Sequence, residues 1–186
     1  MKDPISTVLL VVDMLKGFLE PGHNLYCGDD ALKIIPNVVS LLEKQSAAGT
    51  KIFFINDNHA PNDLEFQMFP VHCVTGTEET DVIDELQKYT TNTNMINKNR
   101  YSGFFNTDLE IQLTHIKPAK LIICGVCTDI CVLHTASDAR NRDYPVEVPI
   151  DCVATFDPYA HKWALLHMEQ ILGVKLFESN REGDFR

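Results

Sequence analysis

Leu121-Ile122-Ile123-Cys124-Gly125-Val126-Cys127-Thr128-Asp129-Ile130-Cys131-Val132 is an apolar run that breaks at a glycine and resumes with helical spacing. It reads as a buried strand leading into a helix, with Cys131 in that helix's first turn. A helix N-terminus carries unpaired N–H groups and the positive end of the macrodipole, both of which favour thiolate over thiol. The same N–H groups can hold an oxyanion beside the sulfur. Cys131 is therefore a candidate nucleophile. The competing reading is a small buried cysteine at a strand–helix junction, and the rest of the chain decides between them.

The alternation continues outward in both directions. Strand candidates lie at Thr7–Val12, 52–55, 95–97, 121–124, 146–150 and 174–177. Between them Ile35, Val38, Val39 and Leu42 share a helical face, and Gly49 follows as a stop. Val82, Ile83 and Leu86 mark a second helix, and Thr107 with Glu110 forms a capping box ahead of a third. Ile130, Leu133 and Ala136 mark the helix carrying Cys131. Trp163, Leu166 and residues 170–172 mark the last, which ends at Gly173. This pattern predicts a single-domain α/β fold, a doubly wound, mostly parallel six-stranded sheet with helices on both faces. The domain spans residues 1–179 and is followed by a polar tail at 180–186. Residues 60–80 form the longest irregular segment, a length often associated with function.

Composition narrows the partners. A net charge of −10 over 186 residues argues against nucleic acid and anionic membranes. No stretch reaches the ~20 apolar residues of a membrane span. The start, Met1-Lys2-Asp3-Pro4, leads into a short apolar strand without a signal-peptide pattern, so a cytoplasmic protein is expected. Six cysteines in such a chain do not suggest a disulfide framework. Cys124, Cys127 and Cys131 match no standard iron–sulfur spacing, and Cys124 falls inside the strand.

Ligands of open α/β sheets bind at the carboxyl ends of the strands. The first strand ends at Asp13, the second at Asn56-Asp57-Asn58-His59, the third at Asn97-Lys98, and the fourth leads to Cys131. In the commonest doubly wound order the first and fourth strands are neighbours, which brings Asp13 and Cys131 together. Taken singly, Asp13 also fits a turn cap, Lys98 a solvated lysine, and Asp57 and His59 polar loop residues. Together their chemistries complement one another. Asp13 can take and return the thiol proton, while Lys98 can stabilise thiolate and orient the carboxylate. In the long loop Asp57, His59, Glu65 and His72 offer imidazole and carboxylate groups suited to Zn²⁺, Fe²⁺ or Mn²⁺. His23, His115, His134, His161 and His167 have no comparable companions.

These residues resemble the nicotinamidase/pyrazinamidase branch of the isochorismatase-like cysteine hydrolases, over roughly residues 7–177. The most specific segment runs from Gly125 to Ala136. It is supported by Val11-Val12-Asp13 with Phe18, by Lys98-Asn99-Arg100-Tyr101-Ser102-Gly103-Phe104, and by Phe69-Pro70-Val71-His72-Cys73. The resemblance implies a catalytic triad of Asp13, Lys98 and Cys131. It implies one divalent metal ion, Zn²⁺ before Fe²⁺ or Mn²⁺, on Asp57, His59 and His72, with Glu65 in the place of a variable ligand. It further implies a cis peptide between Val126 and Cys127, an oxyanion hole from the N–H groups of Cys127 and Cys131, and Phe18 and Tyr101 as pocket walls. The segment between His59 and His72 is shorter than in typical relatives and lacks their His-Pro-Glu run. Val71 and Gly103 stand where many relatives have proline and alanine.

The implied reaction is metal-dependent hydrolysis of nicotinamide to nicotinate and ammonia, through a thioester on Cys131. The expected partners are small-molecule amides of the nicotinamide and pyrazinamide type, together with a possible homo-oligomer. Two alternatives stay open: a related hydrolase acting on an N-carbamoyl or ureido compound, and a thiol redox-sensing or metal-binding module.

Overall fold

Successive side chains of β1 (Thr7–Val12) point to opposite sides of the sheet, Leu9 and Val11 into one core and Val8, Leu10 and Val12 into the other. All five are fully buried. Each such side chain contributes about 1.5–3 kcal/mol on burial, which makes β1 the anchor of the sheet. The structure, a computed structural model, describes residues 7–180.

Among the described residues the elements that follow are α1 (Lys16–Leu19), α2 (Asp29–Leu32), α3 (Ile35–Ala47), β2 (Lys51–Asp57), α4 (Asp84–Gln87), β3 (Met95–Lys98) and α5 (Leu109–Ile116). Then come β4 (Lys120–Val126), α6 (Leu133–Asn141), β5 (Val146–Pro149), β6 (Val153–Ala154), α7 (Pro158–Gln170) and β7 (Lys175–Phe177). The strands run parallel in the order β3-β2-β1-β4-β5-β7, and β6 pairs with the end of β4. Helices α1 to α4 cover one face and α5 to α7 the other. The order reverses between β1 and β4, so the carboxyl ends of these two strands form the switch-point crevice.

The structure departs from the sequence reading in several places. The sheet has seven strands, because Val153–Ala154 adds a two-residue strand too short to show alternation. The helix expected around Val82, Ile83 and Leu86 is a single turn, α4. Thr107 Oγ1 accepts from the Leu109 N–H, but the N-cap of α5 is Asp108, and Glu110 pairs with Arg142 instead of closing a capping box. In α7 the packed residues are Ala164 and Met168, whereas Trp163 and Leu166 face solvent. Past Asn180, the tail expected at 180–186 lies outside the described residues.

Gly125 does not end its strand. It pairs with Val12 inside β4 at φ +113°, and a Cβ there would lie 1.9 Å from the Val12 carbonyl oxygen. Gly125→Ala must therefore push β1 and β4 apart at the crevice and hold a strained φ. We expect a stability loss of more than about 3 kcal/mol by urea denaturation; a loss below about 1 kcal/mol would show that the two strands separate freely.

Candidate active site

Asp13 follows β1 in a left-handed backbone conformation, φ 50°, which aspartate tolerates better than most residues. Its N–H donates to the Ile55 carbonyl and its Oδ1 accepts from the Asp57 N–H, both at 2.8 Å. The carboxylate is thus tied to the ends of both β1 and β2. Lys98, at the end of β3, reaches under the crevice. Its Nζ lies 2.8 Å from Asp13 Oδ2, 2.5 Å from Asp57 Oδ1 and 3.5 Å from Cys131 Sγ. The side chain of Lys98 has no exposure. The topology therefore delivers Asp13, Lys98 and Cys131 to one point from three strands.

Cys131 sits in a π-helical turn, Thr128–Val132, that runs directly into α6. The preceding Val126–Cys127 peptide is cis. Burial pushes the Cys131 thiol well above its usual range, Lys98 pulls it back, and Asp13 and Asp57 oppose Lys98. Burial beside two carboxylates thus opposes the pull of the helix-start N–H groups toward thiolate. Burial also pushes Asp13 up to about 6, against the pull of Lys98. Lys98 stays cationic: burial works against its charge, but Asp13 and Asp57 outweigh it. The resting set is a protonated thiol beside a carboxylate able to take its proton, with a fixed ammonium between two acids.

Oxygen and sulfur atoms of Asp13, Asp57 and Cys131 lie within 4.8 Å of one another, but the space between them is filled by the Lys98 ammonium. A second group has no such occupant. Asp57, His59 and His72, all buried, offer ligand atoms within 4.8 Å of one another. The chain returns to make this possible: the His59 N–H donates to Cys73 O, and the Thr75 N–H donates to His59 O. Asp57 Oδ2 is 3.5 Å from His59 Nε2 and 3.6 Å from His72 Nε2. Ligand atoms 2.0–2.1 Å from a tetrahedral ion are about 3.3 Å apart, so small shifts would seat one.

Each far ring nitrogen faces an acceptor, the neighbour that orients metal-binding histidines; that of His72 is hydrogen-bonded, and that of His59 is at ion-pair distance only. His72 Nδ1 is 2.8 Å from Pro70 O, and His59 Nδ1 is 3.2 Å from Asp63 Oδ2. Asp63 in turn accepts from the Glu65 N–H at 2.9 Å and from Arg100 Nη1 at 2.8 Å. Phe66 packs on both histidine rings. Glu65 is buried and lines the same cleft, its Oε2 3.9 Å from Arg100 Nη1 and without a hydrogen bond, yet it is not among the three converging ligand groups.

The crevice opens as a narrow cleft. Phe18 and Tyr101 line it, as do Asp13, Asp57, His72, Cys127 and Cys131. Sequence reasoning gave no place in the pocket to Leu25, Ile130 and Phe156, which also form walls. It passed over Asp63 too, although Asp63 stands four residues after His59, a spacing that could have flagged it.

The family model for the isochorismatase domain matches residues 7–176. The uncharacterized isochorismatase family protein PncA of Bacillus subtilis (strain 168) is 35% identical over 183 residues, covering 94% of this chain and all of that protein. A pyrazinamidase/nicotinamidase structure from Streptococcus mutans superposes with a TM-score of 0.87 at 33% identity, covering 92% of this chain and 100% of that one. A pyrazinamidase of Pyrococcus horikoshii in complex with zinc gives 0.84 at 31% identity, covering 93% and 99%. Sheet order, crevice chemistry and these likenesses agree: the chain belongs to the isochorismatase family of hydrolases.

Proposed function

We propose that the protein is a metal-dependent cysteine amidohydrolase that converts nicotinamide to nicotinate and ammonia. The observation that carries this reading is the lining of the cleft. It combines two thiols, acids and aromatic walls, with no lysine or arginine among the described residues that line it. Lys98 is consumed by two carboxylates, and Arg100 pairs with Asp63. N-carbamoyl and ureido acids carry a carboxylate, for which this lining offers no lysine or arginine partner. A neutral, flat heteroaromatic amide meets no such penalty.

In this mechanism Asp13 takes the Cys131 proton as sulfur attacks the carboxamide carbon. The N–H groups of Cys127 and Cys131 receive the oxyanion. Asp13 returns its proton to the departing ammonia and then activates the water that cleaves the thioester. Lys98 keeps its charge throughout and fixes the direction of the Asp13 carboxylate. Asp57, His59 and His72, with Glu65 beside them, are the residues that would hold a divalent cation, Zn²⁺ or alternatively Fe²⁺ or Mn²⁺. When bound, the cation supplies a Lewis acid for a ring nitrogen. A reducing cytoplasm suits the six free thiols, and nicotinate production fits pyridine nucleotide salvage. Among the described residues no helix is long and apolar enough to cross a membrane.

The test is ammonia release from nicotinamide after chelation, then after adding back Zn²⁺, Fe²⁺ or Mn²⁺. Turnover restored by metal is expected. No turnover with any of the three would overturn the assignment and direct attention to carbamoyl and ureido substrates.

Asp63 allows a separate test of the metal cluster. Asp63→Asn keeps an acceptor for the Glu65 N–H but removes the charge facing His59. Zn²⁺ affinity, read by competition with a chromogenic chelator, should fall by roughly 10–100-fold. Unchanged affinity would mean that Asp63 serves only the loop.

A further inference from the structure

Cys27 and Cys127 are separated by 100 residues, yet their sulfurs lie 3.5 Å apart in the protein interior. The triad uses neither thiol. Cys73 and Cys152 direct their thiols at oxygen atoms, as Cys27 also does at the Leu25 carbonyl. Cys127 lines the cleft, so a small solute can reach its edge. Cys27 is not part of the lining and lies beside Cys127 in the interior. Its N–H donates to Phe18 O at 2.8 Å and its sulfur sits 3.8 Å from Leu25 O. Phe18 and Leu25 are both walls of the cleft. The two sulfurs therefore join the segment carrying these walls to the residue assigned above to the oxyanion hole.

We propose that Cys27 and Cys127 are a reversible disulfide site, closed by a peroxide, that shuts down the cleft by drawing its Phe18–Leu25 wall onto Cys127. The chemistry balances in two steps. The Cys127 sulfur attacks one peroxide oxygen, giving a sulfenic acid and one water. The Cys27 sulfur then displaces hydroxide from that sulfenic acid, which leaves as a second water with the Cys27 proton. Two thiols lose two electrons, and hydrogen peroxide is reduced to two waters. An S–S bond of about 2.05 Å requires the sulfurs to close by about 1.5 Å. This movement is small enough for side-chain rotation with a shift of the loop at Cys27, and large enough to disturb a narrow cleft. The Cys27 contact and burial both hold the Cys127 thiol well above its usual range, so the reaction is slow and is run with excess hydrogen peroxide.

The cross-link is read first in Cys131→Ala, where the cleft's other thiol cannot react and no turnover is needed. Failure here is therefore distinct from failure of the substrate assignment. After peroxide, acid quench and trypsin, peptides 17–33 and 121–140 are expected as one linked species that dithiothreitol separates, with fragment ions placing the bond at Cys127. Cys27 remaining fully alkylatable, or linked to Cys124 instead, would overturn the proposal. The activity arm rests on the amidase reading. Wild-type turnover should fall roughly 10²-fold, comparable to losing one oxyanion donor, and dithiothreitol should restore it. Cys27→Ser should keep basal activity and lose that restorable fraction. An unchanged restorable fraction would place the inhibition on Cys131 and remove the switch.

Discussion

Cys131→Ala is expected to lower nicotinamide turnover by roughly 10⁴-fold or more, with folding stability changed by less than about 1.5 kcal/mol. The two halves of this expectation have different origins. Covalent catalysis has no substitute once the sulfur is gone, because Asp13 alone can only activate water against an unactivated amide. The fold, in contrast, loses one small side chain at the start of α6, whose packing rests on Leu133, Ala136 and Ala139. Cys131→Ser sharpens the test. Its hydroxyl is far less acidic than a thiol, so Asp13 should not activate it, and the serine variant should be nearly as inactive as the alanine one. Ammonia release and urea denaturation on the same preparations check both halves. Retention of more than about a hundredth of the wild-type rate in Cys131→Ala would remove the covalent mechanism.

Much of this arrangement is legible in the sequence because strand ends need little tertiary information. An apolar run followed by a polar residue marks an edge, and a parallel sheet gathers those edges on one side. Asp13, Lys98 and Cys131 each stand just past such a run, and the reversal of strand order between β1 and β4 does the rest. Other features depend on distance in space. His59 meets His72 only because the loop returns through the Cys73 carbonyl, and loops carry no periodicity that announces a return. The acidity of Cys131 depends on distance in the same way. Helix-start N–H groups can be read locally, but burial beside Asp13 and Asp57 depends on the assembled crevice. In α7 apolar residues occur on both faces, so the pattern could not tell Trp163, which is exposed, from Met168, which is buried. The Cys27–Cys127 contact joins residues 100 positions apart and leaves no trace in spacing at all.

Lys98→Met removes the charge that makes the crevice tolerable. The chain length is kept and the ammonium is lost, leaving Asp13 and Asp57 buried without their shared cation. Removing one partner of a buried ion pair costs about 3–5 kcal/mol, and here two carboxylates lose theirs together. One response is for Asp13 to stay protonated, since burial and Asp57 already push it up and only Lys98 pulls it down strongly. A protonated Asp13 cannot accept the thiol proton, so turnover should fall by roughly 10³-fold, within the span general acid–base catalysis supplies. A bound divalent cation offers Asp57 another positive neighbour, so the stability loss should be smaller with Zn²⁺ than after chelation. Urea denaturation of wild-type and variant protein under both conditions, alongside ammonia release, separates these effects. A variant as stable as wild type in chelator would mean that the two carboxylates share a proton instead of a cation, and Lys98 would lose its place in the mechanism.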